Sequence, residues 1–233
     1  MNIKKIIGLA LAIVMIVASF TGCEILNQFI GNGGNGGNGG NGGNGGNSAG
    51  KNSLTMEAEY TDLDGVAGAG ISNNNSGLSM IYGDGTDAQK EMWSNGYYVG
   101  YTHNDQTELT FTFTASKAST ANIVIMLGSE LIDITLDSES FAVIVNGEEQ
   151  LIPNWFIEKC EMDTATFTTC RLSAPVELVE GENTIVLKVL SNDLGGEGVT
   201  RGPLIDCVTV TATDAELSWT AKEDNPYRRD NEV

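Results

Sequence analysis

The stretch Glu108–Ala115, ELTFTFTA, alternates without a break. Leu109, Phe111 and Phe113 fall on one side; Thr110, Thr112 and Thr114 fall on the other. Successive side chains of an extended chain point to opposite faces of a sheet, so this period predicts a strand with one buried face. Further along, NTIVLKVL (183–190) repeats the pattern, with Ile185, Leu187 and Val189 opposite Thr184, Val186 and Lys188. YYVGYT (97–102), ANIVIML (121–127), FAVIVNG (141–147) and LIDCVTVTA (204–212) are equally rich in β-branched and aromatic residues. Turn signals separate them: NGEE after Val145 and EGEN before Thr184. No helical period is sustained in this region. Many short strands without helices predict an all-β protein, a sandwich of two antiparallel sheets.

The first residues have a different character. MNIKKIIGLALAIVMIVASFTGC places Lys4 and Lys5 before an apolar run from Ile6 to Phe20, followed by small residues and Cys23. That is the layout of an export signal, and the run is short for a membrane span. Phe20–Thr21–Gly22–Cys23 resembles a bacterial lipobox, although Phe20 stands where Leu is usual. The resemblance implies a signal peptide over 1–22, with lipid attached to Cys23. Next comes GNGGNGGNGGNGGNGGNS from Gly31 to Ser48. It has no Pro and nothing to bury, so it reads as a flexible tether, with 23–53 as the linker. About thirty residues reach on the order of 30 Å as a coil and on the order of 100 Å when stretched. Residues 54–212 are then a single globular domain, and 213–233 a polar tail. That tail, with Trp219 and Tyr227, is either free or packs an aromatic back on the domain.

The chain carries 12 basic and 31 acidic residues among 233. Removing residues 1–22 takes away two lysines and no acid, leaving the remainder two units more negative than the −19 of the whole. Such a balance argues against nucleic acid and against lying on an anionic membrane, since both require basic surface. After Cys23 come Cys160, Cys170 and Cys207. Cys160 and Cys170 flank EMDTATFTT, a hairpin that a disulfide would close at its ends. Cys207, in an apolar run, reads as a buried thiol. His103 is the single histidine, so a zinc site is not expected. No His-Glu-x-x-His or phosphate loop is present, and an enzyme is not expected.

TMEAEYTDL (55–63), SNGYYVGY (94–101), LVEGENTIVLKV (178–189) and GPLIDCVTV (202–210) follow one another in an order that resembles the carbohydrate-binding modules of families 6, 35 and 36. These are calcium-binding jelly-roll sandwiches, and the resemblance covers residues 54–212. Two carboxylates on one strand face, Glu57 and Glu59, repel unless a cation lies between them. Asp206 interrupts an apolar strand, where a lone carboxylate is costly. Calcium takes oxygen ligands only. The resemblance implies that Glu57, Glu59 and Asp206 hold a structural calcium that joins the first and last strands. It also implies sugar binding by aromatic faces on loops at one end of the sandwich. Trp93, Tyr82 and Trp155 are the candidate platforms, each also readable as core or rim. Arg201, in the Gly-rich loop 192–203, is a candidate clamp for a sugar carboxylate. Leu204 stands where the resembling modules have Asn. The expectation is a monomeric lipoprotein, lipid-anchored at the bacterial cell surface, whose jelly roll binds polysaccharide without catalysis. The competing expectation is an envelope structural or protein-interaction lipoprotein with the same fold and no sugar binding.

Overall fold

The computed structural model describes residues 52–63, 98–100, 102, 107–130, 132–160, 167–191, 194 and 202–222. The signal, the tether up to residue 51, Cys23, Tyr82, Trp93 and Arg201 lie outside them, while Asn52 and Ser53, counted with the tether in the sequence, belong to the sandwich: Asn52 bonds to Ala212 and Ser53 opens the first strand. The strands are β1 (Ser53–Glu57), β2 (Glu108–Ala115), β3 (Ser119–Glu130), β4 (Ile134–Leu136), β5 (Phe141–Val145), β6 (Glu148–Gln150), β7 (Trp155–Ile157), β8 (Lys159–Cys160), β9 (Thr168–Arg171), β10 (Val176–Leu178), β11 (Gly181–Val189), β12 (Leu204–Ala212) and β13 (Leu217–Trp219). The described helix is a single 3-10 turn, Ala58–Tyr60.

One sheet runs β1-β12-β3-β10, with β8 and β9 also pairing with β3; the other runs β13-β2-β11-β5-β6. β4 and β7 form a separate ribbon. The chain crosses from sheet to sheet: β1 in the first, β2 in the second, β3 back in the first, β5 and β6 in the second, β9 and β10 in the first, β11 in the second, β12 in the first. This order, with β12 inserted between β1 and β3 and β11 between β2 and β5, is that of a jelly roll. The first and last long strands are neighbours, so the fold closes on its own ends.

The alternating octet became β2, with Leu109, Phe111, Phe113 and Ala115 buried and Glu108 and its threonines exposed. It pairs with β11 from Lys188–Glu108 through Gly181–Ala115. Ile185, Leu187 and Val189 of β11 meet the same core. That core lies between the sheets, where Met56, Val208, Ile123, Ile125 and Leu127 of the β1-β12-β3 sheet meet the inward residues of β2 and β11. The NGEE signal is a tight hairpin turn. Asn146 and Gly147 have φ of 51° and 85°, both in the left-handed region that a two-residue hairpin of this twist requires. On the β1–β12 pair, Thr55 and Thr209 hydroxyls bond at 2.9 Å and those of Ser53 and Thr211 at 3.1 Å. Small hydroxyl residues on that outer face thus contribute cross-strand bonds where apolar ones would face water.

Part of the segment read as tail belongs to the sandwich. Leu217–Trp219 pairs with Phe113–Ala115 of β2, and Leu217 is buried. The cysteine reading is overturned. Cys170 is a free, buried thiol, so Cys160 and Cys170 are not bridged. Cys207, expected as a thiol, is disulfide-bonded. The physical reason lies in register: Cys170 faces Ile125 in the middle of the sheet with its side chain in the core, where burial pushes its thiol up to about 12.

Candidate functional site

The end of β1 and the beginning of β12 form one corner of the sandwich. Glu57 lies opposite Cys207 in the β1–β12 register. The chain then tightens into the Ala58–Tyr60 turn, closed by the Thr61 N–H donating to the Ala58 carbonyl at 3.1 Å. This turn inverts the simple alternation and takes Glu59 fully inside. Opposite it, β12 carries a bulge. Ile205 pairs with Leu127 and Val208 with Ile125, so β12 takes three steps where β3 takes two. The extra residue falls at Asp206–Cys207. A bulge re-aims a side chain that strict pleating would point elsewhere. Here seven consecutive residues, Leu204–Val210, are buried, and Asp206 is among them without any exposure.

Glu59, Asp206 and the Oε2 atom of Glu57 are therefore buried at one corner. Sequence reasoning chose these three residues but did not anticipate the bulge or the turn that buries them. Their carboxylates are the kind of oxygen donor a hard cation takes, but among the described residues no three His, Cys, Asp or Glu side chains are grouped so as to hold a metal ion.

A clasp next to this corner draws in a distant segment. Val99 and Ile205 exchange both backbone hydrogen bonds, at 2.8 and 2.9 Å. The Thr102 hydroxyl donates to the Pro203 carbonyl. Gly202 makes the approach possible. A Cβ there would lie 2.3 Å from the Thr102 carbonyl oxygen and 2.6 Å from its carbon. Tyr98 is buried beside the clasp, its ring tilted against Phe167 at 5.7 Å, and Phe167 in turn covers Gly128.

The aromatic candidates separate. Trp93 and Tyr82 lie outside the described residues, as does Arg201. Trp155 is corrected: it is a core residue, 7% exposed, not a platform. Its indole N–H donates to the Arg171 carbonyl at 3.2 Å, and its ring faces Phe141 at 6.4 Å. The strand alternation turns its neighbour outward instead, leaving Phe156 60% exposed. The period-two rule applied to NWFI would have flagged a choice between the two; the packing of β7 on Phe141 decided it. Leu204 is 6% exposed and belongs to the sheet.

No protein-family profile and no curated protein matches the chain. Solved structures do. The chain is 18% identical to a GH26-CBM35 β-(1,4)-mannanase from Podospora anserina, with a TM-score of 0.45, over 70% of this chain and 28% of that one. It thus spans little more than a quarter of the mannanase. It is 18% identical to a CBM35 from Paenibacillus barcinonensis, with a TM-score of 0.41, over 69% of this chain and 99% of the module. A family 35 carbohydrate-binding module from an environmental isolate is 15% identical, with a TM-score of 0.40, over 55% of this chain and 81% of the module. The jelly-roll assignment rests on the strand order described above.

Proposed function

We propose that this chain is a non-catalytic carbohydrate-binding lipoprotein, anchored at Cys23 and presenting its jelly roll to polysaccharide outside the membrane. The observation that carries the reading is the clasp. It joins two segments roughly a hundred residues apart in sequence, Tyr98–Thr102 and Gly202–Ile205, at one end of the sandwich. Arg201 immediately precedes Gly202, and Trp93 lies five residues before Tyr98. In this reading Trp93 supplies a stacking face for a sugar ring and Arg201 a guanidinium for its carboxylate. A captured polymer would stay near the cell at high effective concentration, which is the use of the tether.

Calcium belongs to the same reading. Glu57, Glu59 and Asp206, with backbone carbonyls, would hold it, and it would neutralise their mutual repulsion and fasten β1 to β12. A thermal melt of the chain in calcium and in chelator tests this: stabilisation by calcium that Asp206→Asn abolishes is the expected result, and identical melts refute it.

The function itself is tested by retention of the full chain on immobilised plant and bacterial envelope polysaccharides. Retention that weakens in Trp93→Ala and Arg201→Ala is expected. A folded chain that no polysaccharide retains refutes it. One observation favours the second reading, an envelope lipoprotein that binds protein instead. Leu204, where the resembling modules have Asn, is a sheet residue with almost no surface to offer a sugar.

A further inference from the structure

The C-terminal segment builds a pocket that is separate from the clasp. β13 pairs with β2 over three residues only, ending at Trp219 opposite Phe113. Beyond that the chain leaves the sheet edge and is caught elsewhere: the Lys222 N–H donates to the Tyr60 carbonyl at 2.9 Å, and its ammonium group pairs with Asp62 at 2.8 Å. Between the departing segment and β2 a cavity of about 300 Å³ opens. Tyr60, Asp62, Thr110, Thr112, Trp219 and Lys222 are among its lining residues.

The geometry points to a binding site here for a single neutral sugar ring. Four features select that ligand. Trp219, only partly buried, offers an aromatic surface, which suits the C–H face of a pyranose. The outward threonines of β2, Thr110 and Thr112, offer hydroxyls that both donate and accept, matching a polyhydroxyl partner. The charged groups at the rim are already matched, Lys222 with Asp62 and Glu108 with Lys188, so the pocket selects neither anion nor cation. Its volume lies at the small end of the range for ligand pockets, which suits a ring-sized group. The carbohydrate class agrees with the function proposed above. The pocket, however, uses none of the clasp residues and stands or falls separately.

The test uses the full chain labelled with ¹⁵N. Its three tryptophans give indole resonances that Trp219→Phe assigns. Methyl pyranosides of glucose, galactose, mannose and xylose are titrated in turn. A saturable shift of the Trp219 resonance by at least one of them is expected. Thr110→Val, an isosteric change at an exposed strand position, should weaken that binding about tenfold, the equivalent of roughly 1.4 kcal/mol, with an unchanged circular dichroism spectrum. A Trp219 resonance that no pyranoside moves overturns the proposal, and so does an undiminished affinity in Thr110→Val. Polysaccharide retention with a silent Trp219 would refute the pocket and leave the clasp reading intact. A responsive Trp219 without polysaccharide retention would do the reverse.

Discussion

Asn183 is the residue whose removal the structure prices most directly. It is buried at the start of β11 and makes four hydrogen bonds. Its Oδ1 accepts from the Val179 N–H and from Asn146 Nδ2, both at 2.9 Å. Its Nδ2 donates to the Val179 and Gly181 carbonyls, also at 2.9 Å. One amide thus holds the turn between β10 and β11 and ties it to the β5–β6 hairpin, where Asn146 Oδ1 accepts from the Thr184 N–H at 2.9 Å. A neutral hydrogen bond contributes about 0.5–1.5 kcal/mol net. Four would sum to about 2–6 kcal/mol, but Val179 and Asn146 lie at exposed turns, where water partly replaces the lost partner. Asn183→Ala should therefore cost about 2–4 kcal/mol in urea denaturation. Asn183→Asp is the sharper variant. It keeps the acceptor and sets a second oxygen against two carbonyls, which raises the folded-state pKa of the new carboxyl above its unfolded value. Its deficit should be full at neutral pH and shrink as pH falls through that raised value. A loss below about 1 kcal/mol for the alanine variant, or an aspartate variant indifferent to pH, would refute the account of this amide as a central tie.

Other predictions follow from local geometry. Gly202→Ala must displace the Thr102 backbone rather than a flexible side chain, and should cost about 1–3 kcal/mol in thermal melts while weakening any ligand bound at the clasp. Cys170 should resist iodoacetamide in the native state at neutral pH, because burial pushes its thiol up to about 12, and should label fully in denaturant; rapid native labelling, read by peptide mass, would contradict its placement. Asp137 is held below the usual carboxylate range, chiefly by the Ser140 hydroxyl and then by the Glu139 N–H. Its contribution is present above the unfolded pKa and lost as pH falls through the depressed folded value. Stability curves of the parent and Asp137→Ala should therefore differ near neutrality and converge in acid; a difference that persists in acid would refute the assignment.

Much of the fold was legible because strand signals are local. The alternation in Glu108–Ala115 and in β11 needs no partner to be read, since it records which residues must leave water. The carboxylates were legible as anomalies: Asp206 inside an apolar run, and Glu57 and Glu59 two residues apart. Their burial was not, since it depends on a bulge in β12 and a turn after β1, which arise only when those strands meet their neighbours. Trp155 shows the same limit. Period two states that Trp155 and Phe156 face opposite ways but not which faces inward.

The chain by itself determined an all-β sandwich, its longer strands β2, β3, β5, β11 and β12, and the residue types gathered at its first and last strands, because hydrophobic periodicity and turn chemistry act within a few residues; YYVGYT, read as a strand, contributes an isolated bridge at Val99. Tertiary structure alone decided that Cys170 is free and Cys207 bonded, that Trp219 docks on β2, and that Lys222 is held by Tyr60 and Asp62 to leave a pocket. Each of these depends on contacts across 100 residues or more, or on a register between strands, and the free energy of such contacts is a property of the assembled sheets.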